Sequence, residues 1–204
     1  MQVKMNVKDA TLDGIFEVPS GAKAVVVFAH GSGSGRFSPR NTFVAKFLQS
    51  SGFGTLLFDL LTPEEDQVYE NRFNIDLLAE RLREATDWLL ENSKDAAVGY
   101  FGASTGAAAA LEASVKRTRV VAIVSRGGRP DLAWDHLRNV KAPTLLIVGG
   151  LDSEVLLLNE SALDQITAPK KLVVIPGATH LFEEPGTLEE VSRVATSWFT
   201  EFLR

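Results

Sequence analysis

The stretch Ala96-Ala97-Val98-Gly99-Tyr100-Phe101-Gly102-Ala103-Ser104-Thr105-Gly106-Ala107-Ala108-Ala109-Ala110 decides the fold. Residues 96–101 are apolar or glycine and read as a buried strand, and an alanine-rich helix is expected over 105–115. Between them lies the G-x-S-x-G pentapeptide Gly102-Ala103-Ser104-Thr105-Gly106. A serine on so sharp a strand-to-helix turn is held in a strained conformation with its hydroxyl exposed. Side chains two positions to either side would collide in that turn, which accounts for Gly102 and Gly106. Taken alone the pentapeptide is a weak signal, since a glycine-rich turn also suits a phosphate at a helix N-terminus. Neither G-x-G-x-x-G nor G-K-[ST] occurs in the chain, which disfavours that second use.

Outward from this turn the same alternation repeats. Residues 2–7 and 12–18 read as an edge hairpin, and Ala24–Ala29 is a continuous apolar run suited to a strand buried on both faces. Further strands are expected over 54–60, 119–125, 144–148 and 171–175. Helices are expected over 39–49, 74–91, 157–165 and 188–203, with a short helix or turn over 131–138. In the 74–91 segment Ile75, Leu78, Leu82, Ala85 and Leu89 form one apolar stripe. Strand followed by helix, repeated about six times, implies an α/β fold with a mostly parallel sheet flanked by helices on both faces. Such sheets bind ligands at the carboxyl ends of their strands. Those ends are where chemistry is sought.

Composition narrows the function. The chain has 204 residues, 45% of them hydrophobic, without an internal repeat or linker, so one domain over 1–204 is expected. A net charge of -5 with no basic run argues against nucleic acid as a partner. No apolar run is long enough to span a membrane, and the N-terminus carries no signal-peptide core, so no membrane partner and cytoplasmic residence are the default expectations. The absence of cysteine excludes thiol catalysis and thiolate metal sites.

Two more strand ends carry reactive groups. Asp152 follows Leu146-Ile147-Val148-Gly149-Gly150-Leu151, where a carboxylate can accept an imidazole N–H and stabilise the imidazolium. The alternative for Asp152 is an Asx-turn or helix cap. Asp131 is a rival acid for which a helix-capping role is expected. His180 lies in Pro176-Gly177-Ala178-Thr179-His180, after the last strand; of the three histidines it is the best placed as a base. His136 sits in a polar helical segment, and His30 ends the first buried strand and is expected to be structural. The order Ser104, Asp152, His180 is that of the nucleophile-elbow hydrolases.

With these residues in view the chain resembles the α/β-hydrolase superfamily, and within it the small, lidless, dienelactone-hydrolase-like branch. The resemblance covers nearly the whole chain and includes the His30-Gly31 strand end, the Ser104 pentapeptide, Val148-Gly149-Gly150-Leu151-Asp152 and the His180 loop. Dienelactone hydrolases proper carry a cysteine nucleophile where this chain has Ser104, so what the resemblance implies is acyl transfer in general. It also implies neither a metal nor an organic cofactor. By match to the family pattern, the oxyanion hole would take the backbone N–H groups of Thr105 and of Ser32, the latter in the loop His30-Gly31-Ser32-Gly33-Ser34-Gly35-Arg36.

No gap between strands leaves room for a large lid. The longest connection, 61–74, is expected to overhang the site. Phe37, Tyr69, Phe73, Trp134 and Phe182 are candidates for an apolar pocket, each of which also suits ordinary packing. Arg36, Arg40, Arg126 and Arg129 lie on strand-end loops, and the stretch Ser125-Arg126-Gly127-Gly128-Arg129-Pro130-Asp131 suits either an anionic substrate group or a structural salt bridge to the acidic loop. The expected activity is hydrolysis of small or short-chain esters or lactones, with a small-molecule ester as partner. Acyl transfer to another nucleophile, and a non-catalytic binding module on the same fold, remain open.

Overall fold

A computed structural model describes residues 1–115 and 119–203; positions 116–118 and 204 lie outside the described residues. Among the described residues eight strands form one sheet: β1 (Gln2–Asn6), β2 (Thr11–Glu17), β3 (Ala24–Ala29), β4 (Gly54–Phe58), β5 (Ala97–Ala103), β6 (Val120–Arg126), β7 (Thr144–Gly149) and β8 (Lys170–Ile175). Their spatial order is β1-β2-β4-β3-β5-β6-β7-β8. The β1–β2 hairpin joins β4 antiparallel, and every pairing from β4 across to β8 is parallel. The chain therefore runs one way from β3 to β4 and returns to the other side of β3 as β5. That reversal opens a crevice at the carboxyl ends of β3 and β5.

Among the described residues there are six α-helices, all but α2 packed on the sheet: α1 (Pro39–Ser50), α2 (Pro63–Asp66), α3 (Ile75–Asn92), α4 (Thr105–Val115), α5 (Ser153–Gln165) and α6 (Thr187–Phe202). The sheet separates two apolar cores. One packs α3 and α4 residues such as Leu78, Leu82 and Leu111 against Val27, Leu56 and Tyr100. The other packs α1 and α6 residues such as Val44, Leu48, Ala195 and Phe199 against Phe28, Phe101 and Val124. Central strands face both layers, which is why β3, β4 and β7 are buried along their whole length and read as unbroken apolar runs.

The fold agrees with the architecture expected from the sequence, with boundaries moved by a few residues. α5 begins at Ser153, before the apolar run that suggested 157, and β6 reaches Arg126. The 61–74 connection is not a plain loop. It holds α2, closed by a Thr62–Glu65 capping box, and a 3-10 turn over Tyr69–Phe73. The short segment expected over 131–138 is a kinked 3-10 helix, Pro130–Asn139. No large lid covers the strand ends among the described residues.

Candidate active site

Ser104 stands between β5 and α4 with φ +52°, a left-handed conformation uncommon for a residue with a side chain. The turn is as crowded as its glycines suggest. A Cβ on Gly102 would lie 2.4 Å from Ala107 Cα, and one on Gly106 would lie 2.2 Å from the Ala29 carbonyl oxygen. The loop after β6 holds the strained residue from both sides. The Ser104 N–H donates to the Arg126 carbonyl at 3.3 Å, and its own carbonyl accepts from the N–H groups of Ala107 at 3.0 Å and Arg129 at 3.2 Å.

Strand register brings the other candidates to Ser104. Pairing of Ala29 with Gly102 sets Gly31 against Ser104, so that a Cβ on Gly31 would come within 3.2 Å of Ser104 Cβ. Pairing of Gly149 with Ile175 lets the two following loops exchange backbone bonds, Gly150 N–H to Ile175 and Leu151 N–H to Ala178. Gly149 has no alternative there, since a Cβ would sit 2.4 Å from the Ala178 oxygen. As a result His180 Nδ1 donates to Asp152 Oδ2 at 2.6 Å. Asp152 occupies the cap position of α5, yet its side chain makes no capping bond and is left for the imidazole. His180 and Ser104 line one cleft of about 240 Å³ with Ser38, Arg40, Asn41 and Arg126. With Nδ1 taken by Asp152, Nε2 is the ring nitrogen left for the serine.

Thr105, heading α4, has a backbone N–H with no carbonyl to meet inside the helix. Ser32 lines the same cleft, but its N–H donates to Thr105 Oγ1 at 3.0 Å in the resting arrangement. The sequence carries no sign of that engagement. His30 lies beneath the loop, bonded to Gly31 O and to the Leu60 N–H, in the structural role expected for it. Arg36 pairs with Asp59 and Asp13, fastening the far end of the loop.

The aromatic residues nominated for the pocket lie elsewhere. Phe37 is exposed and packs against the Arg36 guanidinium, 4.6 Å from the ring centre. Tyr69 packs on Phe73, with ring centres 5.3 Å apart, and Trp134 lies half exposed on the 3-10 helix after β6. None of these lines the Ser104 cleft. Phe182 comes nearer but turns its ring into the α1–α6 core, where it is buried below Arg126. Of the nominated pocket residues Arg126 lines the cleft, together with Arg40 from among the strand-end arginines and with Ser38 and Asn41, which were not nominated. Asp131 makes no cap and instead forms a two-pronged ion pair with Arg129, at 2.9 and 2.7 Å.

Comparison with known proteins accords with this architecture. A solved dienelactone hydrolase from Anabaena variabilis is 53% identical, with a TM-score of 0.97 over 100% of this chain and 98% of its own. Est1E from Butyrivibrio proteoclasticus, at 15% identity and a TM-score of 0.85 over 98% of each chain, shares the fold. A curated Mycobacterium tuberculosis protein named as a putative phosphoribosyl transferase is 58% identical over 193 residues. That match takes in 93% of this chain but 44% of the relative, so the chain spans less than half the length of the curated relative. The profile of the dienelactone hydrolase family matches residues 12–203, and the chain belongs to that family.

Proposed function

We propose that the protein is a serine hydrolase that cleaves carboxylic esters through an acyl-enzyme on Ser104. One observation carries the reading. A serine in a left-handed elbow shares a cleft with a histidine whose far nitrogen is already bonded to a carboxylate. Ser104 Oγ attacks the ester carbonyl as its proton passes to His180 Nε2, and Asp152 stabilises the imidazolium. The carbonyl π electrons move to oxygen, where the Thr105 N–H donates to the oxyanion. The Ser32 N–H joins it when its bond to Thr105 Oγ1 is given up. Each such donor contributes about 3–4 kcal/mol in the transition state. Collapse breaks the ester C–O bond, and His180 returns the proton to the leaving alcohol. Water then attacks the acyl-enzyme with His180 again as base, releasing the acid and restoring the Ser104 hydroxyl.

A fluorophosphonate probe followed by peptide mapping tests this. Labelling is expected at Ser104 and is expected to disappear in both Ser104→Ala and His180→Ala. Labelling elsewhere would displace the nucleophile, and none in folded protein would favour a binding module. Adding alcohols or amines to the ester assay separates hydrolysis from acyl transfer.

A further inference from the structure

Arg126 is the last residue of β6, and its register partner is Ala103, beside Ser104. It is 6% exposed and lines the Ser104 cleft. Its side-chain hydrogen bond is to Asn41 Oδ1, at 3.4 Å, and its buried Nε has no partner. Arg36, Arg72, Arg81 and Arg129 each pair with a carboxylate; among the described residues Arg126 does not. Arg40 reaches the same cleft from α1. Its Nε is also buried without a partner, while a terminal nitrogen meets the exposed Glu183 at 3.1 Å. Burial, and then the neighbouring Arg40 charge, depress the Arg126 pKa to about 10, which leaves it protonated at neutral pH. Two guanidinium-bearing residues thus line one small cleft, each with a buried Nε that lacks a partner.

Ser38 adds a third direction. It caps α1 by accepting from the Asn41 N–H, which leaves its hydroxyl hydrogen to donate, and the positive end of a 12-residue helix lies behind it. We propose that Arg126, Arg40 and Ser38 form a phosphoryl-binding subsite, so that the ester presented to Ser104 carries a doubly charged phosphoryl group at its non-reacting end. The inference rests on the Ser104 reading above for its ester and on the cleft alone for its anion. A phosphoryl group offers two charges and three terminal oxygens to donors arriving from the sheet, from α1 and from the cap. A carboxylate offers one charge and two coplanar oxygens, which a single guanidinium satisfies.

The test pairs binding with turnover. Inorganic phosphate is titrated calorimetrically into the wild type, Ser104→Ala, Arg40→Gln and Arg126→Gln. Acetyl esters of 2-hydroxyethyl phosphate, 3-hydroxypropionate and ethylene glycol are compared by kcat/KM. Phosphate is expected to bind the wild type and Ser104→Ala alike, about tenfold or more weaker in Arg126→Gln, and weaker in Arg40→Gln. The phosphoryl ester is expected to exceed the neutral one by about thirtyfold, with that ratio falling toward one in Arg126→Gln. If Arg126→Gln does not fold, the half-buried Arg40→Gln carries the comparison. Preference for the carboxylate ester, or equal turnover of all three esters with no phosphate binding, overturns the proposal while leaving Ser104 in place. Phosphate binding lost in Arg126→Gln, with no ester cleaved by the wild type, upholds the subsite and removes the nucleophile instead.

Discussion

His30 follows β3 directly under the loop that frames Ser104, and both of its ring nitrogens are committed. The Leu60 N–H can only donate, so Nε2, at 3.0 Å, must be unprotonated, and Nδ1–H donates to Gly31 O at 2.9 Å. The ring is therefore neutral. Burial holds its pKa below the ordinary 6.5, against the opposing effects of the Gly31 hydrogen bond and the charges of Asp59 and Asp66. The unfolded chain consequently binds this proton more tightly than the folded one. The stability tied to neutral His30 is complete above the unfolded value and is lost as pH falls below it. Urea midpoints measured from about pH 7.5 to 5 are expected to fall more steeply for the wild type than for His30→Gln, whose amide stays neutral. Parallel curves would show that the ring is not the titrating group.

α5 does more than present Asp152 at its start. Two turns in, Asn159 is fully buried and donates through Nδ2 to Gly128 O at 2.9 Å and Val155 O at 2.8 Å. Gly128 belongs to the loop whose neighbours Arg126 and Arg129 bond the backbone of Ser104. Gly127, in the same loop at φ +51°, lies against His180, where an added Cβ would meet the ring at 3.4 Å. One helix thus braces both the acid and the backbone under the nucleophile. Asn159→Ala leaves Gly128 O without its donor and is expected to cost about 1–3 kcal/mol in urea unfolding. It should also slow labelling of Ser104 by the fluorophosphonate probe, with the adduct still at Ser104. An unchanged labelling rate at reduced stability would limit Asn159 to a packing role.

At the scale of the whole molecule, the sheet is the wall between two cores that share no helix. Phe199 on α6 and Leu82 on α3 are both fully buried, one in each layer. Phe199→Ala is expected to cost about 3–5 kcal/mol and Leu82→Ala about 2–5 kcal/mol. The Ser104 cleft draws on the loop after β3, on β5, β6 and α1, and on the loops after β7 and β8, and both layers pack against β3 and β5. Each variant should unfold in one transition that coincides with loss of probe labelling. Two separated transitions would show that the layers fold independently.

Much of this architecture was legible because it is written in local periods. Unbroken apolar runs mark strands buried on two faces, the 3.6-residue stripe from Ile75 to Leu89 marks α3, and Gly102 and Gly106 mark a turn too tight for side chains. Position at strand ends nominated Ser104, Asp152 and His180, and their chain order agreed with that choice. Contacts between distant residues were not legible. Sheet order set Gly31 against Ser104, and register put Arg126 in the cleft without an ion pair among the described residues. A 3.0 Å bond gave the Ser32 N–H to Thr105 Oγ1. The aromatic residues Phe37, Tyr69 and Trp134 have the chemistry of a pocket, but their loops carry them away from the cleft. Periodicity is a property of neighbours along the chain, whereas the partner of a side chain depends on which strands lie side by side and in what register.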